Sequence, residues 1–248
     1  MKKHLPNALT CLNLLCGCLA LTFIFSTRPL NLVTGAYLVG LAAVADFLDG
    51  LVARALRVSS PIGKDLDSLA DMVSFGVVPG AILFQLLRLA PAQSAAAGYP
   101  LAWGADYLPY AAFLVTIFSA LRLAKFNNDT RQTNSFIGLP TPACTLVVAS
   151  LPLILAAESK RPAAFSTLIP LILNPWALLG LTVLLSGLLV AELPLFALKF
   201  KDFGWVGNRQ RFLFLLLAVA LMIFLHAAAV PLVVLLYVGL SVAGPRRA

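Results

Sequence analysis

The chain has 248 residues, 60% of them hydrophobic and only 11% charged, with a mean hydropathy of +0.94. A water-soluble domain carries about 25% charge, and one core of this size cannot hide so much apolar surface. The net charge of +8 is spread over several short loops, which argues against nucleic acid as a partner and for a face that meets anionic lipids and phosphorylated ligands. A bilayer-spanning helix needs about 20 mostly apolar residues. In chain order the apolar runs predict helices over 7–27, 31–56, 63–90, 106–126, 139–157, 174–198, 210–228 and 230–244. The expectation is an all-α integral membrane protein, a polytopic bundle of about eight transmembrane helices in one domain, 1–248. The first run follows Lys2, Lys3 and His4 like a signal peptide, but no cleavage site followed by a soluble domain comes after it, so it reads as a retained span. The last break rests on Pro231 alone, and 158–173 is apolar but interrupted by Pro162 and Pro170, as in a partly embedded loop. With both termini in the cytoplasm, only Arg28, Arg88, Lys160 and Arg161 of the 18 Lys and Arg fall on the far side. That asymmetry is the one the positive-inside rule describes. The 4 cysteines, Cys11, Cys16, Cys18 and Cys144, lie in apolar stretches and read as small hydrophobes rather than metal ligands.

Of the 10 acidic residues, Asp46, Asp49, Asp65, Asp67 and Asp71 crowd into the second and third predicted helices. An aspartate at the centre of a span costs roughly 2.5–3.5 kcal/mol on insertion scales. The cost falls near a helix end, but a like-charged cluster still needs something to offset it. Asp46 and Asp49 are three apart and share a helix face with Arg54; Asp67 and Asp71 are four apart, with Gly63 on the same stripe. A short polar turn, Val58, Ser59, Ser60 and Pro61, joins the two helices. Such a hairpin brings four carboxylates into one pocket at the membrane's edge. Gly50, Ala53 and Gly63 are small enough to let backbones and a ligand come close. Four carboxylates that near one another stay ionised together only with cations among them. Oxygen-only ligands favour a hard cation, Mg²⁺ or Mn²⁺. The plainer alternative is a set of helix-end acids facing water and paired with Arg54, Arg57 and Lys64. It suits Asp65, which points away from the stripe as a first-turn acid favoured by the helix dipole.

The run Asp46-x2-Asp49-Gly50-x2-Ala53-Arg54-x8-Gly63-x3-Asp67-x3-Asp71 fixes eight positions across 26 residues. It resembles the signature of the CDP-alcohol phosphatidyltransferase family, without a missing position. The resemblance implies a membrane enzyme that moves a phosphatidyl group from CDP-diacylglycerol to a small cytoplasmic alcohol. It implies two metal ions, bridged by Asp46 and Asp67, with Asp49 completing one site and Asp71 the other. Asp71 is then also the base that takes the acceptor's proton. Gly50 and Arg54 are expected at the CDP portion of the donor, with Ser60 and Asn13 as further donor-binding candidates. Homodimerisation and a prokaryotic cell membrane, with the site on its cytoplasmic side, are likewise expectations.

Further segments are similar to the branch of the family that uses serine. They are Pro6-Asn7-x2-Thr10-x2-Asn13, Ala120-Leu121-Arg122-Leu123-Ala124-Lys125-Phe126-Asn127, Phe136-x-Gly138-Leu139-Pro140-x-Pro142-Ala143 and Lys199-Phe200-Lys201-Asp202-Phe203. Each has a plainer reading. Arg122 and Lys125 can anchor a helix end at headgroups, Asn13 can bond between helices, and Pro140 and Pro142 can simply open a helix. Serine's carboxylate needs a cation near the metals, which makes Arg122, then Lys125, the acceptor-binding candidates. Lys125 stands where that branch usually has Arg, and offers a point charge instead of a two-toothed fork. A phosphate-bearing acceptor, glycerol 3-phosphate or inositol phosphate, also suits a basic pocket. A cation transporter is the rival from another class, and it predicts acids spread along a pore in repeated halves. Here they sit at one end of one hairpin.

Overall fold

The computed structural model describes residues 4–26, 31–58, 60–96, 106–128, 136–162, 168–195 and 205–243. Lys2, Lys3, Arg28, Ser59, Arg131, the segment 199–203, Arg246 and Arg247 lie outside the described residues. Among the described residues the chain is helical apart from turns and one antiparallel pair of two-residue strands. The protein is an all-α integral membrane protein. Among the described residues six helical stretches are long and apolar enough to cross a bilayer: Leu5–Ile24, Asn31–Leu56, Pro61–Ala92, Leu108–Asn128, Thr141–Glu158 and Asn208–Val242. Large apolar side chains such as Phe47, Leu216 and Phe224 point outward, as they do where lipid, not water, is the solvent.

Helix α1 (Leu5–Ile24) opens with Pro6 in its first turn and packs along α2 (Asn31–Leu56). The buried residues on these helices are mostly small, Gly17 and Ala20 on one and Gly35, Ala36, Ala42 and Ala45 on the other. Small residues let helix backbones approach where no water drives them together. Helix α2 ends where Arg57 turns left-handed and the Val58 N–H reaches back to the Ala53 carbonyl at 3.0 Å, a common C-terminal stop. Ser60 then caps α3 (Pro61–Asp71), with Pro61 at its first position, where a missing N–H costs nothing.

Helix α3 runs without a break through a π-helical turn, Met72–Val77, into α4 (Val78–Ala96). A short 3-10 turn, Leu108–Ala112, leads into α5 (Phe113–Asn128). Then follow β1 (Phe136–Ile137), α6 (Thr141–Glu158), the five-residue α7 (Leu168–Ile172), α8 (Pro175–Val190) and β2 (Pro194–Leu195). The interior is built from α4 and α6, whose Ile82, Leu83, Leu86, Val147 and Val148 are all buried.

The structure departs from the apolar pattern in three places. The segment 158–173 holds α7, and α8 stops at Val190, short of 198, because Ala191 is extended (ψ 139) and Pro194 enters β2. The last two predicted helices are α9 (Trp205–Leu225) and α10 (Ala229–Ala243), separated by a 3-10 turn at His226–Ala228 rather than at Pro231. His226 has a positive φ of 49, and the Gln210 side-chain amide donates to the Leu240 carbonyl. The start of α9 therefore lies beside the end of α10, in a hairpin.

Candidate active site

Two helices of one hairpin supply the acids. Asp46 and Asp49 lie one turn apart near the end of α2, and Asp67 and Asp71 one turn apart in the last half of α3. The structure brings all four together. Carboxylate oxygens of Asp46, Asp49 and Asp67 lie within 4.8 Å of one another, and the Asp71 carboxyl sits within hydrogen-bonding reach of Asp46. At that separation two unit charges repel by at least roughly 3 kcal/mol at an effective dielectric near 20. A hard divalent cation removes that cost, and a converging all-oxygen donor set is what such a cation takes. Asp46, Asp49 and Asp67 could therefore hold a metal ion.

Helix α1 holds both pairs in place. The Thr10 hydroxyl lies 2.6 Å from Asp49 Oδ2, and the Asn13 side-chain N–H donates to Asp71 Oδ1 at 3.2 Å. Thr10, Asn13 and Asp49 are buried, where hydrogen bonds to charged groups are worth about 1.5–3 kcal/mol each. Asn13 Oδ1 is also buried and has no hydrogen-bond partner among the described residues. The close approach of α1 depends on Gly17, because a Cβ there would run into Ser74 Oγ. Ser74 in turn donates to the Asn13 carbonyl at 3.0 Å.

Directly after Asp71, the π-turn shifts the helical hydrogen-bond register, and neighbouring helices serve two of its carbonyls. Thr145 on α6 donates to Phe75 O, and Thr116 on α5 to Gly76 O, each at 2.9 Å. Such turns recur at functional sites. Neither the turn nor its support by Thr116 and Thr145 is legible in the apolar pattern of the sequence. Thr10, which serves Asp49, stands in the segment Pro6-Asn7-x2-Thr10-x2-Asn13, three residues before Asn13 on the same helix face.

The remaining predicted residues divide. The Arg54 side chain folds back over Gly50, where a Cβ would come 3.3 Å from its guanidinium; Arg54 is exposed and within electrostatic reach of Asp49. Ser60 is exposed, and its oxygen accepts from the Gly63 N–H at 3.0 Å, so it serves the helix cap. Gly63 is where α3 meets the start of α1, since a Cβ there would stand 3.1 Å from Asn7 Oδ1. Arg122 is buried at 7% exposure, with its Nε–H donating to the Leu139 carbonyl at 2.7 Å. Its guanidinium lies 5.5 Å from the Phe126 ring centre and within electrostatic reach of Asp71. Lys125 is exposed in the last turn of α5, and Asp65 is exposed on α3. Arg122 thus joins the aspartates, while Lys125 stays at the surface.

Residues 3–188 match the CDP-alcohol phosphatidyltransferase family. The chain is similar to three curated proteins named CDP-diacylglycerol–serine O-phosphatidyltransferase. One, from Mycobacterium leprae, is 32% identical over 154 residues, covering 59% of this chain and 46% of that protein. One from Helicobacter pylori is 35% identical over 145 residues, covering 58% and 54%. One from Bacillus subtilis is 31% identical over 144 residues, covering 56% and 70%. The chain spans about half the length of the first two.

Proposed function

The chain belongs to the CDP-alcohol phosphatidyltransferase family, and from that membership we propose that it transfers a phosphatidyl group from CDP-diacylglycerol to L-serine. The products are phosphatidylserine and CMP. One observation carries the choice of acceptor: a buried arginine, Arg122, stands beside Asp71, and no hydrogen bond among the described residues uses its two terminal nitrogens. A free two-toothed cation next to the base suits an acceptor that bears a carboxylate. The names of the three relatives support the same choice.

In this reading the acyl chains of the donor stay among the outward-facing apolar helices, and the headgroup enters at the aspartate end, on the cytoplasmic side. Arg54 and Gly50 receive the CDP portion, with Ser60 at the rim. Asn13, in this account, acts on the donor site through Asp71. Asp46, Asp49, Asp67 and Asp71 would hold two Mg²⁺ or Mn²⁺ ions. When bound, these supply charge neutralisation for the pyrophosphate and for the departing CMP.

The chain's own groups do the rest. Arg122 orients serine through its carboxylate, so that the hydroxyl faces the phosphatidyl phosphorus. Asp71 accepts the hydroxyl proton as the oxygen attacks. A new bond forms between the serine oxygen and that phosphorus. The bond from phosphorus to the bridging oxygen breaks, and CMP leaves with the bridging oxygen and its electron pair.

The test is CMP release by the purified protein in detergent with CDP-diacylglycerol and Mg²⁺ or Mn²⁺, offering L-serine, glycerol 3-phosphate or inositol phosphate. Serine-dependent release that chelation abolishes is the expected result. Release with another acceptor would keep the chemistry and overturn the acceptor. No release with any of them would return the transporter reading.

A further inference from the structure

Between β1 and α6 the chain makes a tight turn whose backbone is engaged on two sides. Gly138 has a φ of +78, a conformation open to glycine and costly for most other residues. Its N–H donates to the Leu193 carbonyl at 3.0 Å, and the Leu139 N–H donates to the Leu188 carbonyl at 2.9 Å. The second bond occupies one of the orphan carbonyls at the end of α8. A Cβ at position 138 would stand 2.8 Å from the Leu189 carbonyl oxygen and 3.0 Å from that of Ala191. These are backbone atoms at a helix end and cannot swing aside. The Leu139 side chain is buried, so the turn is anchored from its side-chain face as well.

On its other side the same turn presents the Leu139 carbonyl to Arg122 Nε at 2.7 Å. Helix α5, which carries Arg122, itself packs against α8. The end of α8, the turn and the guanidinium therefore form one continuous chain of contacts. With Nε taken, rotation of the guanidinium plane is restricted and its two terminal nitrogens are directed together.

We propose that Gly138 is a positioning residue for acceptor selection: it seats the turn on the end of α8, and the turn's Leu139 carbonyl sets the plane of Arg122 that meets the acceptor's carboxylate. The proposal rests on the reading of Arg122 as the carboxylate's partner. Its consequence is a specificity effect. Disturbing the turn weakens the use of a carboxylate-bearing amino alcohol and spares one that lacks the carboxylate.

The experiment compares L-serine with ethanolamine as acceptors for the full-length wild type, Gly138→Ala and Arg122→Ala, measuring kcat and KM for each acceptor and for CDP-diacylglycerol. Gly138→Ala is expected to raise the serine KM about tenfold, as misplacing a substrate-orienting group does. The preference for serine over ethanolamine falls by a similar factor, and the KM for CDP-diacylglycerol stays within about twofold. Leu139→Ala, which removes the turn's buried anchor without placing a Cβ at position 138, serves if the alanine variant at 138 does not accumulate, with the same direction expected. A loss equal for both acceptors marks a merely structural role and overturns the proposal. So does a Gly138 or Leu139 variant with wild-type preference when Arg122→Ala has lost it. An unaltered preference in Arg122→Ala would instead sink the acceptor reading itself.

Discussion

Asp71 differs from its three companions in how it is held. Its Oδ1 accepts from Asn13, its carboxyl lies against that of Asp46, and Arg122 is within electrostatic reach. A carboxylate set between a second carboxylate and a fixed cation is placed to exchange a proton as well as to hold an ion. Asp71→Asn keeps the shape and the neighbouring contacts but cannot take a proton. Turnover should fall by a factor of about 10²–10⁴, the usual size of a general-base contribution. CDP-diacylglycerol binding should persist, because the Asp46, Asp49 and Asp67 triad remains. Steady-state rates and titration of the donor check both halves, and a near-wild-type rate would remove Asp71 as the base. The sequence made the aspartates legible because both pairs are local, three and four residues apart. It hid which groups Thr10 and Asn13 serve, because Thr10 meets Asp49 across 39 residues and Asn13 meets Asp71 across 58. Hydrogen bonds between helices leave no periodic trace. Ser60 shows the converse: a donor-binding candidate by resemblance, it also has a local task, since its oxygen accepts from its own helix.

At the scale of elements, apolar length sufficed where a helix ends on a strong local signal. Helix α2 covers 31–56 as expected, closed by the left-handed Arg57. It failed where the stop is a backbone event inside an apolar run, as at Ala191 and His226. The π-turn after Asp71 was invisible for the same reason, since Met72–Val77 reads as ordinary helix. What stabilises that turn is its surroundings: α1 pressed against it at Gly17, and threonines from α5 and α6 on its carbonyls. Gly17→Ala should therefore destabilise the protein by about 1–3 kcal/mol, as overpacking does, and slow turnover by shifting Asn13 off Asp71. Gly40→Ala, on α2 with no atom within 4 Å of the added Cβ, is the control and should be neutral or slightly stabilising. Thermal midpoints and rates of the two variants decide it, and similar behaviour would show that the contact with Ser74 carries no weight.

For the whole molecule, composition alone assigned the solvent: 60% hydrophobic residues become an outward apolar surface around a core on α4 and α6. An expensive feature in that arrangement is the knot of carboxylates where α1, α2 and α3 meet. Asp67 on α3, when ionised against Asp46 or Asp49 on α2, opposes the packing of those two helices by roughly 3 kcal/mol per pair. A cation that binds the folded knot and not the unfolded chain stabilises the fold by mass action, about 2.7 kcal/mol at a hundredfold excess over its Kd. Mg²⁺ or Mn²⁺ should therefore raise the unfolding midpoint of the detergent-solubilised protein in a concentration-dependent way, without any substrate present, and chelation should reverse the rise. Asp46→Asn or Asp67→Asn should abolish the rise while raising the midpoint of the metal-free protein, because each removes a repelling charge. Asp65→Asn, on the exposed face of α3, should leave the rise intact. A midpoint indifferent to metal, or a rise lost equally in Asp65→Asn, would mean that the four aspartates are not a metal site. An intact rise in a protein that releases no CMP would keep the metal site and discard the transferase reading, so stability and activity test separate links of the same chain of inference.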